Sequence, residues 1–165
     1  MQPLHTRNYR KIMVLTGAGV SRASGIPTFR GPDGQMSSEY YRVSDARNLP
    51  QLLPEMWPTH GAARGRLMQI SPSAAHFALA RWQNKWRSCE REIVVVTQNV
   101  DGLHQLAGAS DVVEIHGSLR RSRCMNSACV SEPFFDAFVP DSGAPEVPKC
   151  RVCFADLRPD ITIFN

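Results

Sequence analysis

The sequence predicts an α/β protein: a Rossmann-like parallel sheet carrying a small zinc-binding insert and a small helical subdomain. Three observations predict it. Ile93-Val94-Val95-Val96 is a β-branched run that turns abruptly into Thr97-Gln98-Asn99-Val100-Asp101-Gly102-Leu103-His104. Strands apolar throughout belong to parallel sheets with helices on both faces, and ligands bind at the carboxyl edge of such sheets. Residues 11–16 form a similar run that feeds Gly17-Ala18-Gly19-Val20-Ser21, a turn whose glycines let backbone approach a phosphate. A plain strand–helix turn is the other reading of that segment, since Arg22 stands where a third glycine of the dinucleotide fingerprint belongs. Finally, four of the five cysteines fall late and in pairs.

Composition sets the bounds. A chain of 165 residues with 42% hydrophobic content suits one domain with a packed core. No window approaches the roughly 20 apolar residues that span a bilayer. Arg7, Arg10 and Lys11 precede an apolar run, Ile12 to Leu15, too short for a signal-peptide core. A cytoplasmic location is expected. The net charge of +4 comes without a Lys/Arg stripe and interleaved aromatics, so no specific nucleic-acid partner is predicted. In a reducing compartment, paired cysteines favour metal over disulfide.

After the first turn, Ser24-Gly25-Ile26-Pro27-Thr28-Phe29-Arg30-Gly31 forbids a long helix and forms a loop over the strand ends, with a turn at Pro32-Asp33-Gly34. Between Glu39 and Ile70, Pro50, Pro54 and Pro58 predict only short helices. Ser71-Pro72-Ser73 opens the next helix, with a Ser cap and Pro in the first turn. Ala75, Leu79, Trp82 and Trp86 share one face and are assigned to the core. His76 reads as a packed or capping histidine. Residues 102–107 form a helical turn ending at Gly108, and Val112 to Ile115 a short strand.

That strand delivers His116-Gly117-Ser118-Leu119 to the edge that carries Asn99 and Asp101. Imidazole is the side chain suited to general-base work near neutral pH. Cys124, Cys129, Cys150 and Cys153 make a four-thiolate set, which closes a structural zinc site and leaves no position for catalysis. Residues 119–156 read as mostly loop, so metal supplies much of their folding energy.

Taken together, GAGVS, GIPTFRG, TQNVDGLH and HGSL resemble the sirtuins, the NAD-dependent protein deacylases, and Leu157-Arg158-Pro159-Asp160-Ile161-Thr162-Ile163-Phe164 resembles a further strand of that family. The resemblance implies a single sirtuin-type catalytic domain. Residues 9–118 and 157–165 would be its Rossmann-like NAD-binding part and 119–156 its zinc module. It implies transfer of an acyl group from lysine to ADP-ribose with release of nicotinamide, acting on acyl-lysine proteins or peptides. NAD is the cosubstrate and one Zn²⁺ is structural.

By position, His116 would deprotonate a ribose hydroxyl, Asn99 orient ribose or water, and Asp101 bind the carboxamide of nicotinamide. Gly17, Ala18, Gly19, Ser21, Thr28, Phe29, Arg30 and Gln98 would complete the NAD site. The family's Tyr-x-x-Arg pair for acidic acyl groups is absent near Trp57. Either His60 or Arg64 could replace it, or both face solvent, and a small uncharged acyl group is expected. Sirtuins continue beyond the position of Asn165. The chain alone is therefore expected to bind NAD weakly and to associate through an incomplete sheet. A protein ADP-ribosyltransferase and a catalytically impaired zinc-containing fragment are the rival readings.

Overall fold

The computed structural model describes residues 6–30, 34, 45–49, 51–137 and 147–163. The expected turn at 32–34, except Gly34 itself, and the end of the last expected strand at Phe164 lie outside them. Strands β1 (Lys11–Thr16), β2 (Glu92–Thr97) and β3 (Val112–Glu114) form a parallel sheet in the order β1-β2-β3. The register runs unbroken from Lys11 opposite Glu92 to Thr16 opposite Thr97, so both strands end level. That level ending is what brings Gly17 and Asn99 together.

Among the described residues, three α-helices accompany the strands: α1 (Leu53–Leu67), α2 (Ala74–Arg87) and the single turn α3 (Leu103–Leu106). Ile93 and Val95 of β2 are buried on the face that α2 covers. The alternate residues behave differently: Met13 is 72% exposed, Leu15 61% and Val113 49%. Side chains alternate along a strand, so these three share the other face. The sequence reading put helices on both faces; among the described residues that face is open.

The glycine turn enters a short 3₁₀ helix, Ala18–Ser24, which Gly25 ends with a φ of 90°. The proline-based expectation of short helices at 50–70 is overturned by α1, fifteen residues long. Pro54 sits in the first turn, where a missing N–H costs nothing, and only Pro58 removes an internal bond. Burial of Leu53, Met56 and Trp57 outweighs that loss: they pack with Cys150 and Leu157, and Trp57 Nε1 donates to Leu157 O at 2.8 Å.

Helix α2 also departs from expectation. Its cap is Ser73, leaving Pro72 outside the helix. Its buried residues are His76, Ala80, Gln83 and Trp86, while Ala75 is exposed and Leu79 and Trp82 are half-buried. Hydrophobic spacing missed the two polar members because hydrogen bonds make their burial tolerable. Gln83 Nε2 donates to Ile93 O and Asp111 O at 2.9 and 2.8 Å, and its Oε1 accepts from Ser110 N.

A second, antiparallel sheet has the order β5-β4-β6, where β4 is Gly117–Cys124, β5 Phe134–Phe135 and β6 Leu157–Ile161. Residues 117–124 are therefore an eight-residue strand, not loop. Leu157–Ile161, grouped by sequence with the nucleotide-binding part, pairs with β4 and not with the parallel sheet. The pairing shifts between Ser118 and Ser122, where Pro159 has no N–H to offer. Arg64 of α1 fills the gap. It is 4% exposed, donates to Leu119 O at 2.5 Å, Arg121 O at 2.8 Å and Ser122 Oγ at 3.0 Å, and pairs with Asp136 at 3.2 Å. It does not face solvent, and it is not available to an acyl chain.

Candidate functional site

Ser21 ties the phosphate turn to the amide–acid loop. It is 1% exposed, donates to Asp101 Oδ2 at 2.7 Å and accepts from Asn99 Nδ2 at 3.0 Å. The other amide hydrogen of Asn99 goes to Gly17 O, also at 3.0 Å. Asp101 Oδ1 accepts from Leu103 N at 2.9 Å. Both Asn99 donors are thus spent within the protein, and its carbonyl oxygen is the atom left for a ligand. The two loops form one preorganised unit rather than two flexible ones.

Behind this unit lie two buried histidines whose rings meet edge to face at 4.7 Å, His76 and His104. His76 Nδ1 accepts from Ser73 N at 3.0 Å, so it does cap its helix. His104 Nε2 lies 2.9 Å from Thr16 Oγ1. Burial, reinforced by His76, pushes His104 down to about 4, and burial lowers His76 as well. At neutral pH both rings are uncharged. Nothing in the sequence beyond the histidines themselves signalled this pair.

A cavity of about 560 Å³ opens in front of the unit. Ala18, Ser21, Phe29, Asn99 and Asp101 line it, as the sequence reading expects. Gly17, Gly19, Thr28, Arg30, Gln98 and His116 do not. An added Cβ at Gly17 or Gly19 would meet nothing within 4 Å, so open space lies against this backbone, as approach by a phosphate requires. Thr28 Oγ1 donates to Arg30 O at 2.7 Å at the loop surface. The far wall comes from α1 and the second sheet, with His60, Leu119 and Ile161. Only His60 had been singled out in the sequence, because α1 itself was not foreseen.

His116 stands at the neighbouring strand end. Its Nδ1 is 3.0 Å from Gln98 O. A carbonyl only accepts, so Nδ1 carries the hydrogen and Nε2 keeps a free lone pair. Its own carbonyl accepts from Thr162 N at 2.8 Å. Gly117 follows with a φ of 77°, and a Cβ there would lie 2.0 Å from Asp160 O, so no other residue fits without moving β6. Further along β4, Leu119 N donates to Val100 O and Arg120 Nε to Asp101 O, at 2.8 and 3.1 Å. Val100, Asp101 and His116 are thus held from the side of the second sheet as well.

The four late thiols do meet. Their sulfurs all lie within 4.8 Å of one another, with Cys124–Cys153 at 3.5 Å and Cys129–Cys150 at 3.8 Å. A tetrahedral ion with Zn–S bonds of ~2.3 Å holds its sulfurs ~3.8 Å apart, so the cage fits zinc. The N–H groups of Cys153 and Val152 draw the Cys150 thiol down to about 6, while burial pushes Cys124 up to about 12. N–H donors aimed at sulfur favour the thiolate that a metal needs.

A model of the Sir2 family matches residues 17–165. The chain belongs to that family. It is 35% identical to the NAD-dependent protein deacylase sirtuin-5, mitochondrial, of Xenopus tropicalis, over 94% of this chain and 56% of that protein. It is 36% identical to an NAD-dependent protein deacylase of Thermus thermophilus, over 94% of this chain and 59% of the relative. Among solved structures, a Sir2 homologue–NAD complex superposes with a TM-score of 0.76 at 33% identity, covering 94% of this chain and 57% of that one. A complex of Sir2 with a p53 peptide and NAD⁺ gives 0.72 at 32% identity, covering 96% and 61%. The chain therefore spans less than two thirds of the length of these relatives.

Proposed function

We propose that this chain carries the nicotinamide-side chemistry of an NAD-dependent protein-lysine deacylase, which moves an acyl group from lysine to ADP-ribose and releases nicotinamide. The observation that carries the reading is the Ser21-centred unit. It fixes the phosphate turn, Asn99 and Asp101 around one cavity, with the bare Nε2 of His116 at the adjoining strand end. Asp101 takes the amide hydrogens of the nicotinamide carboxamide. The carbonyl oxygen of Asn99 orients a ribose hydroxyl or water. His116 Nε2 removes the ribose proton, its tautomer held by Gln98 O. Phe29 closes the cavity over the reacting ribose, and Arg30 steadies the loop above the phosphates. Gly17, Ala18, Gly19, Thr28 and Gln98 supply backbone to the same site.

Zinc at Cys124, Cys129, Cys150 and Cys153 is a cross-link in this reading and takes no part in the chemistry. The acyl group is uncharged. Arg64 is committed to β4, and an unpaired carboxylate in an apolar cavity is costly. The relatives from Xenopus tropicalis and Thermus thermophilus, both named NAD-dependent protein deacylases, support the reaction class. No described helix is long and apolar enough to cross a membrane, which is compatible with a cytoplasmic setting.

The test is nicotinamide release and peptide deacylation measured together on an acetyl-lysine peptide. Changing His116 to Ala should lower both by about 10²-fold with zinc content unchanged. Full activity in that variant removes His116 from the mechanism. An ADP-ribosylated peptide without deacylation would favour the transferase reading, and zinc binding without NAD turnover the fragment reading.

A further inference from the structure

A second cavity, of about 450 Å³, opens where β3, β4 and β6 meet. Three arginines line it, Arg121 and Arg123 of β4 and Arg158 of β6, and none of them lines the cavity in front of Ser21. Two buried carboxylates, those of Glu114 and Asp160, stand among them. Arg121 donates from Nε to Asp160 Oδ2 and from Nη1 to Glu114 Oε2, both at 2.8 Å, and so ties β4 to β6 and β3. Arg123 Nε lies 2.8 Å from Asp160 Oδ1 without the alignment of a hydrogen bond, and this buried nitrogen has no other partner. Arg158 makes no ion pair among the described residues: its Nη1 donates to Pro159 O and Ile161 O, both at 2.9 Å. Burial, and after it the neighbouring Arg123 charge, works against the Arg158 cation. The cross-strand pairing therefore accounts for Arg121. Among the described residues, no hydrogen bond takes up Nη1 and Nη2 of Arg123 or Nε and Nη2 of Arg158.

We propose that this cavity is an anion site for a phosphate group, free or carried as a monoester, held by Arg123 and Arg158. Three guanidiniums against two carboxylates leave one positive charge in excess. An anion between Arg123 and Arg158 removes both that excess and their mutual repulsion, and it gives the unused donors charge-assisted hydrogen bonds. A carboxylate offers two oxygens in one plane, which suits a single guanidinium fork. A phosphate offers at least three on a tetrahedral centre and serves donors that arrive from two strands. The rest of the wall is apolar, with Leu49, Ile115 and Ile163, and would cover the organic part of a monoester. The site is independent of the deacylase reading, because its arginines lie outside the proposed NAD cavity.

The experiment uses the full 165-residue chain, loaded with zinc, at constant ionic strength. The probes are phenyl phosphate, inorganic phosphate and benzoate, followed by NMR titration. Phenyl phosphate should bind about tenfold tighter than benzoate, the worth of one further charge-assisted hydrogen bond. In the parent protein the ¹⁵Nε resonances of Arg123 and Arg158 should shift with phenyl phosphate, while the amides of Gly17 to Ser21 stay in place. Arg158→Gln removes the charge and keeps a donor, and it should weaken phenyl phosphate about tenfold with zinc content unchanged. Phenyl phosphate tighter than inorganic phosphate marks the ligand as a monoester and equal affinity marks it as the free ion; either result upholds the site. Benzoate bound as tightly as phenyl phosphate, affinity unchanged in Arg158→Gln, unmoved Arg123 and Arg158 resonances, or shifts confined to Gly17 to Ser21 would each overturn the inference and leave the three arginines as cross-strand ties only. The resonance readout is made on the parent protein, so it stands whether or not the variant folds.

Discussion

The two sheets of this protein are held together by different means. The parallel sheet buries Ile93 and Val95 under α2, and behind its carboxyl edge it closes a hydrogen-bonded network of Ser21, Asn99, Asp101 and Thr16 with two uncharged histidines. The antiparallel sheet has little apolar core of its own. It relies on the thiol cage, on Leu53, Met56 and Trp57 lent by α1, and on the Arg64 guanidinium that caps a strand irregularity. Yet the second sheet is what fixes the functional edge of the first: Thr162 N, Leu119 N and Arg120 Nε hold His116, Val100 and Asp101 in place. The candidate site edge of the better-packed half therefore rests on the half that carries the thiol cage.

Removing the metal should separate the two most sharply. We expect about one zinc per chain, as a closed four-thiolate site requires. Chelation, or Cys150→Ser, should abolish amide-exchange protection across Gly117–Cys124 and Leu157–Ile161 while Glu92–Thr97 stays protected, because metal affinity at such sites is folding energy. Unchanged protection in β4, or equal loss in β2, would erase the distinction.

Arg64→Met comes next. It keeps the stem that packs near Trp57 but removes the donor to Leu119 O and Arg121 O and the cation beside Asp136, which Ser122 Oγ still contacts. The expected cost is about 3 kcal/mol in urea unfolding with zinc retained, the scale for breaking a buried ion pair on one side. A loss below about 1 kcal/mol would mean that water can satisfy the irregular strand as well as arginine does.

The smallest effect belongs to the first sheet and is read through pH. His104 is held near 4 in the folded state against 6.5 when free. The unfolded chain then binds the extra proton between those values. Stability is complete above about pH 6.5 and falls as pH drops toward 4, by up to about 1.4 kcal/mol per pH unit for one proton. His60 and His76 act in the same direction. His104→Gln should flatten the stability profile between pH 6.5 and 5 in zinc-saturated buffer. An unchanged slope would show that His104 is not buried neutral.

The legible parts of the sequence were those where local chemistry has one structural outcome. β-branched runs became β1 and β2, paired cysteines became a cage of zinc dimensions, and polar residues after strand ends gathered at one edge. Three features resisted. Proline near α1 was read as a breaker because its penalty is local, while the burial that overrides it comes from Leu157 and Cys150, about a hundred residues away. Gln83 was passed over as core because its burial depends on backbone partners on β2 and beyond, Ile93 O and Asp111 O. Arg64 looked like a surface or substrate residue because the carbonyls it serves appear only once β4 and β6 pair out of register.

The sequence by itself determined the element types along most of the chain, the metal ligand set, and the family to which the site belongs. Periodicity, spacing and side-chain chemistry are properties of neighbouring residues, and they survive being read one stretch at a time. Tertiary structure alone decided which atoms remain free for a ligand. Asn99 keeps only its carbonyl oxygen because Gly17 and Ser21 claim its hydrogens, and His116 keeps Nε2 because Gln98 O takes the other ring nitrogen's proton. A hydrogen bond consumes a particular donor, and which donor is consumed depends on the partners that folding brings within reach.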